Sequence, residues 1–294
     1  MSTIGFLGLG NMGGPMAANL VKGGHTVRGY DPVETAQEAA RTAGVEVVGA
    51  PVEAVADVDV VITMLPNGAL VLSTFDDVLT EARPDTLFID SSTIAVDDAR
   101  EAAVRATGAG HRFLDAPVSG GVVGAEAGSL TFMVGGAEAD LEAAREVLDP
   151  MAGRIVHCGE TGNGQVAKIC NNLILAISMV GVSEAAVMGE RLGLSHQAFY
   201  DVISTSAGQC WALNVNCPVP GPVPTSPANR DFTPGFATAL MNKDLGLALS
   251  ALESTGTDAP VGTLVADLYR GFAEGGAGGL DFSAIIQQIR GDIS

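Results

Sequence analysis

Lysine is nearly missing from these 294 residues: only Lys22, Lys168 and Lys243 occur, against twelve arginines and 34 acidic residues. A guanidinium keeps its proton in a protein, whereas an ammonium can lose it when desolvated. A chain that relies on arginine for positive charge has kept lysine where arginine cannot substitute, so each lysine is a candidate for proton chemistry. The shortage of cations leaves a net charge of −19. That balance repels polyphosphate chains and anionic lipid, so nucleic acid and membrane surfaces are not expected partners. Any small anionic ligand then needs local help from backbone N–H groups, helix ends or the rare lysines.

Cysteine is also scarce. Cys158, Cys170, Cys210 and Cys217 form no CxxC pair and no His-rich zinc spacing, which excludes a disulfide framework and points to no metal. They read as reduced thiols in a cytoplasmic protein, with Cys170, in an apolar helical stretch, expected in the core. No basic leader precedes the N-terminal apolar run, and the longest apolar run, Leu173–Val182, is too short to span a bilayer. A soluble enzyme is expected.

What is abundant is glycine, 38 residues, together with 47% hydrophobic and 17% charged content. This is the composition of a compact chain with many tight turns. Strands are expected at Thr3–Leu9, Thr26–Asp31, Val58–Leu65, Thr86–Ser91, Arg112–Pro117, Leu130–Val134 and Arg154–Cys158. Ala-rich helical stretches such as Val33–Ala43 and Ala95–Thr107 lie between them. The alternation predicts right-handed βαβ units, hence an α/β Rossmann-type doubly wound sheet. After Gly164 the pattern becomes helical. Gln165 to Leu192 is apolar nearly all round its middle, which predicts a helix buried on all sides, between domains or between subunits. Further helices are expected at about 196–206, 236–254, 260–274 and 282–290, around a loop, Cys217–Pro234, that contains six prolines. Two domains follow: residues 1–163, binding a dinucleotide, and residues 164–294, all-α and including the long interdomain helix.

Gly8-Leu9-Gly10-Asn11-Met12-Gly13 closes the first strand and opens a helix. In a GxGxxG so placed, Gly8 makes the tight turn, Gly10 admits a pyrophosphate and Gly13 allows close helix–strand packing. Asn11 and Met12 fall at the helix N-terminus, which supplies N–H groups for the anion. Asp31 ends the second strand, where a carboxylate accepts hydrogen bonds from ribose hydroxyls and repels a 2′-phosphate. That predicts NAD as the cofactor, with a turn role before Pro32 as the alternative. Leu65-Pro66 and Ser91-Ser92-Thr93 end later strands and are candidates to line the same ligand.

Ser119-Gly120-Gly121 can form a backbone nest for a carboxylate, or an ordinary glycine turn. Gly162-Asn163-Gly164 opens the long helix, and Lys168 and Asn172, four apart, share one of its faces. Desolvation and a nearby nicotinamide cation would favour the neutral amine of Lys168, and a substrate carboxylate would oppose this. Such a lysine can take a hydroxyl proton as hydride departs, while Asn172 orients the same oxygen. Lys243 can serve the ligands or pair on the surface. Lys22 closes the helical segment Met16–Lys22 before Gly23-Gly24 and is ordinary helix-end chemistry.

Together these segments resemble the β-hydroxyacid dehydrogenase family. The likeness rests on Gly5–Gly13, Asp115–Gly121, Leu130–Gly136, Gly162–Asn172, Cys210-Trp211, Asn216–Gly221 and Lys243–Ala248, and covers essentially the whole chain. The resemblance implies a Rossmann domain joined by a long helix to an all-α domain, in a homodimer or homotetramer. It implies Lys168 as catalytic acid/base with Asn172 as its partner, and Ser119, Gly120 and Gly121 on the substrate carboxylate. Lys243 would assist substrate or cofactor, and Leu65, Pro66 and Thr93 would line the NAD site. The implied reaction is NAD-dependent oxidation of a small hydroxy acid, with 3-hydroxyisobutyrate of valine breakdown the expected substrate. Alternatives are reduction of tartronate or succinic semialdehyde, and a non-catalytic NAD-binding module on the same fold. Asn171 stands where relatives acting on 6-phosphogluconate carry His.

Overall fold

A computed structural model describes residues 1–292; the last two residues of the expected second domain, 293 and 294, lie outside the described residues. Two compact units are present, Met1–Lys168 and the segment from Ile169 onward.

In the first unit β1 (Thr3–Leu7), β2 (Thr26–Tyr30), β3 (Glu46–Val47), β4 (Val60–Thr63), β5 (Leu87–Asp90) and β6 (Arg112–Asp115) are joined by α1 (Gly13–Lys22), α2 (Glu34–Thr42), α3 (Pro51–Val55), α4 (Gly68–Val78) and α5 (Val96–Gly108). Then follow β7 (Val118–Ser119), α6 (Gly121–Ala127), β8 (Leu130–Gly135), α7 (Glu138–Leu148) and β9 (Ala152–Gly159). The order across the sheet is β3-β2-β1-β4-β5-β6-β8-β7, with β9 also on β8. From β3 to β6 every pairing is parallel; β8 runs antiparallel to β6 and β7. Both faces are covered, which is why these strands are nearly continuous apolar runs. Ile62, Ile89 and Leu114 pack on one side with Met16, Leu20 and Leu141. Val61, Phe88 and Phe113 pack on the other with Val71, Phe75 and Ala102. Because β1 to β6 point one way, their carboxyl ends gather along one edge, where a doubly wound sheet binds its ligand.

The helix α8 (Asn163–Arg191) leaves the first unit and continues into the second. There α9 (His196–Ile203), α10 (Trp211–Asn214), α11 (Thr238–Thr255), α12 (Pro260–Glu274) and α13 (Ile285–Arg290) pack round a core that includes Met179, Phe199, Met241, Leu245, Tyr269 and Phe282. The proline-rich stretch forms no helix beyond one turn, Pro227–Asn229.

Within the single chain the long helix keeps an open side: Ile174 and Met188 are 65% and 61% exposed, and Gly181 between them is exposed too. These positions are seven apart, so they form one open stripe. Cys170 is exposed, not in the core. Apolar composition marks a face that avoids water, but it does not say whether the same chain covers that face. By length and composition α8 could cross a membrane, beyond the ten-residue run read from the sequence. Half of its most apolar window is buried within the chain, as in the core helix of a globular protein.

Candidate active site

The loop after β1 is shaped by close approach. A side chain at Gly13 would collide with the Gly8 carbonyl and press on Phe6, whereas a Cβ on Gly10 would meet nothing within 4 Å. One glycine is therefore needed for packing, and the other leaves open space where a pyrophosphate can come close. Met12, at the N-cap, carries no side-chain capping bond, and the first turn holds no acidic residue. Asn11 is exposed beside it. A helix start so arranged suits an anion, so the loop fits the dinucleotide that the motif implies. Asp31 is buried and takes part in the turn. Its Oδ2 accepts the Leu9 N–H (2.8 Å), fixing the loop, and its Oδ1 accepts the Val33 N–H (2.8 Å), shaping the turn. Each oxygen keeps a lone pair for a ribose hydroxyl.

At the next strand ends, the Leu65 N–H donates to Ser92 Oγ (2.8 Å), joining the segments that contain Pro66 and Thr93. Behind them Asp90 is fully buried. Its Oδ1 accepts Thr63 Oγ1 (2.7 Å) and the Ser92 N–H (3.1 Å), while Oδ2 has no partner among the described residues. Desolvation pushes this carboxyl up to about 6, partly opposed by hydrogen bonds from Ser92 and Thr63 and aided by the charge of Asp115. Asp115, register partner of Asp90 on β6, is also raised by burial against its backbone hydrogen bonds.

Asp115 secures the start of α8: Oδ1 accepts the Gly162 N–H (2.7 Å) and Oδ2 the Gln165 N–H (3.0 Å). Gly164 lies so close that a Cβ would collide with the Met133 carbonyl and stand 2.8 Å from the Asp115 carbonyl. One turn on, Lys168 is 8% exposed. Ser119 lies in β7, and Gly120 (φ 136°) and Gly121 (φ 62°) follow in backbone that side chains disfavour. The residue types there are set by the turn, and this turn is of the kind that can gather N–H groups round a carboxylate.

In the second unit, buried Asn172 donates through Nδ2 to Asp244 Oδ2 (2.6 Å) and accepts the Asn171 amide at Oδ1 (2.9 Å). Lys243 Nζ lies 3.7 Å from the other Asp244 oxygen, with its side chain about one-third exposed. Asp244 thus links two candidate site residues, a link that the sequence did not show. It was visible only as a neighbour of Lys243, with nothing to show that it reaches Asn172, 72 positions away. Among the described residues no group of three or more His, Cys, Asp or Glu could hold a metal ion.

Comparison with known proteins agrees in both halves. Residues 3–159 match the family model for the NAD binding domain of 6-phosphogluconate dehydrogenase. Residues 162–289 match that for the NAD-binding of NADP-dependent 3-hydroxyisobutyrate dehydrogenase. The chain is 60% identical over 290 residues to a probable 3-hydroxyisobutyrate dehydrogenase of Mycobacterium tuberculosis, covering 99% of this chain and 98% of that protein. It is 42% identical over 290 residues to the human mitochondrial 3-hydroxyisobutyrate dehydrogenase, covering 98% and 86%. The solved M. tuberculosis 3-hydroxyisobutyrate dehydrogenase, with L-serine, superposes with a TM-score of 0.95 at 59% identity and 99% coverage of each chain.

Proposed function

The chain belongs to the 3-hydroxyisobutyrate dehydrogenase family, nicotinamide-dinucleotide oxidoreductases acting on CH–OH groups, and we propose that it uses NAD to oxidise 3-hydroxyisobutyrate to methylmalonate semialdehyde in valine breakdown with Lys168 as general base. The observation that carries the proposal is a single buried lysine in the second turn of α8, on a chain so short of lysine. L-serine, named with the M. tuberculosis structure, is likewise a carboxylate with a hydroxyl at C3.

NAD, when bound, supplies the acceptor for the hydride that leaves C3. The fit of the loop round Gly8, Gly10, Asn11, Met12 and Gly13 supports its binding there, with Leu65, Pro66 and Thr93 as further contacts. Asp31 is proposed to take the ribose hydroxyls and to disfavour a 2′-phosphate. Lys168 Nζ receives the hydroxyl proton, which requires the neutral amine. In the reverse direction it returns that proton. Asn172 has one amide hydrogen engaged by Asp244, and the other is proposed to hold the substrate oxygen. Ser119, Gly120 and Gly121 are assigned to the substrate carboxylate, and Lys243 to substrate or cofactor. We assign the cofactor domain to residues 1–163 and the all-α domain to 164–294. The free thiols suit a reducing cytoplasm. The open stripe of α8 suits a homodimer or homotetramer.

Steady-state assays with 3-hydroxyisobutyrate, tartronate semialdehyde and succinic semialdehyde, each with both nicotinamide cofactors, test the assignment. The expected optimum is 3-hydroxyisobutyrate with NAD; equal use of NADP would discard the role of Asp31. In Lys168→Ala, turnover should fall by roughly 10²–10⁴ while NAD still binds. Unchanged turnover would remove Lys168 from the mechanism.

A further inference from the structure

Gln165 is fully buried and bonded at every polar group its side chain offers. Its Nε2 donates to the Ser92 carbonyl (2.8 Å) and its Oε1 accepts the Ile94 N–H (3.2 Å). A carbonyl partner on one atom and an N–H partner on the other leave only one orientation for the amide. The two bonds straddle Thr93, so the side chain fixes the backbone on both sides of that residue. Ser92 in turn accepts the Leu65 N–H at Oγ and donates its own N–H to Asp90. The Gln165 backbone is held from another direction, by Asp115 Oδ2. One residue therefore joins the ends of β4, β5 and β6 to the first turn of α8, three positions before Lys168.

We infer that Gln165 is a positioning residue that sets the cofactor-side turn Ser92–Ile94 in register with the helix that carries Lys168. It touches neither substrate nor cofactor in this role. It acts by holding the segment that contains Thr93 and the turn before Lys168 at one fixed separation, so that hydride acceptor and proton acceptor are placed together. Reacting groups need that placement closely, since about 1 Å of misplacement can cost on the order of a hundredfold in rate. The inference rests on the proposed roles of Thr93 and Lys168.

Gln165→Met keeps the length and removes both hydrogen bonds. Three readouts apply to it: amide hydrogen exchange at Ile94, the Kd for NAD by titration, and kcat. Ile94 exchange should quicken at least about tenfold, the Kd for NAD should rise about tenfold, and kcat should fall roughly ten- to a hundredfold. A purely structural residue would lower Tm and leave Kd and kcat of the folded fraction unchanged, and that result overturns the inference. A change in Kd without kcat, or in kcat without Kd, overturns the coupling as well. Gln165→Glu keeps the acceptor for Ile94 and loses the donor to Ser92, and it serves if the methionine variant does not fold. Should the wild type ignore 3-hydroxyisobutyrate, or Lys168→Ala keep its turnover, the functional reading fails. NAD affinity and Ile94 exchange would still decide what Gln165 does at the cofactor turn.

Discussion

Asp90 holds its proton more tightly in the folded chain, where its carboxyl titrates at about 6, than in the unfolded chain at 3.8. Between about pH 4 and pH 6 the native state therefore binds more protons than the unfolded state. Stability then declines as pH rises through that window and stays reduced above it. Asp115, also raised by burial, acts in the same direction. Asp90→Asn keeps an acceptor for Thr63 and Ser92 and never ionises, so its melting temperature relative to wild type should rise as pH goes from 4 to 6, from below wild type to above it, and level off beyond. The gain above pH 6 is on the order of 1–2 kcal/mol, less than the full ionisation penalty because the new NH2 replaces an oxygen that has no partner. Thermal melts from pH 4 to pH 8 measure it; a variant whose melting temperature runs parallel to wild type would show that Asp90 stays ionised throughout.

Among the elements, the start of α8 has the least room for change. Gly164 sits against the carbonyls of Met133 and Asp115, so a methyl group there must lift the helix from the sheet. Gly164→Ala should lower stability by about 1–3 kcal/mol, the usual result of overpacking. It should also lower kcat more than a surface Gly→Ala control, because Lys168 travels with the helix. Calorimetry beside steady-state assays checks both, and an unchanged kcat at lowered stability would separate the helix start from the chemistry. Strand–helix alternation was legible in the sequence because each parallel strand is a compact apolar run bounded by turn residues. The GxGxxG loop and the lysine helix were legible because their chemistry is local. The two-residue strands β3 and β7 were not legible, being too short for any periodic signal. Gln165, Asp90 and Asp244 escaped for another reason: their roles are fixed by partners 73, 27 and 72 positions away. What covers the open side of α8 was not legible, because hydrophobicity does not say whose surface will lie against it.

At the scale of the molecule, that uncovered stripe has to be reconciled with a net charge of −19. Two such chains repel at long range, so association needs an apolar patch large enough to prevail at contact. Ile174 and Met188 on α8, with exposed Leu192 just beyond it, are the apolar side chains we propose for it. Sedimentation should find wild type as a dimer or larger, with added salt favouring the assembly. Met188→Asp should move the population towards monomer; a wild type that sediments as monomer at micromolar concentration would reject the interface. The same scarcity of cations has a practical side. A protein with three ε-amines, one of them 8% exposed, is almost transparent to amine-reactive probes. Modification at Lys168 would then stand out in a peptide map against very few competing adducts, so shielding by bound ligand could be followed at that one atom in the unaltered protein.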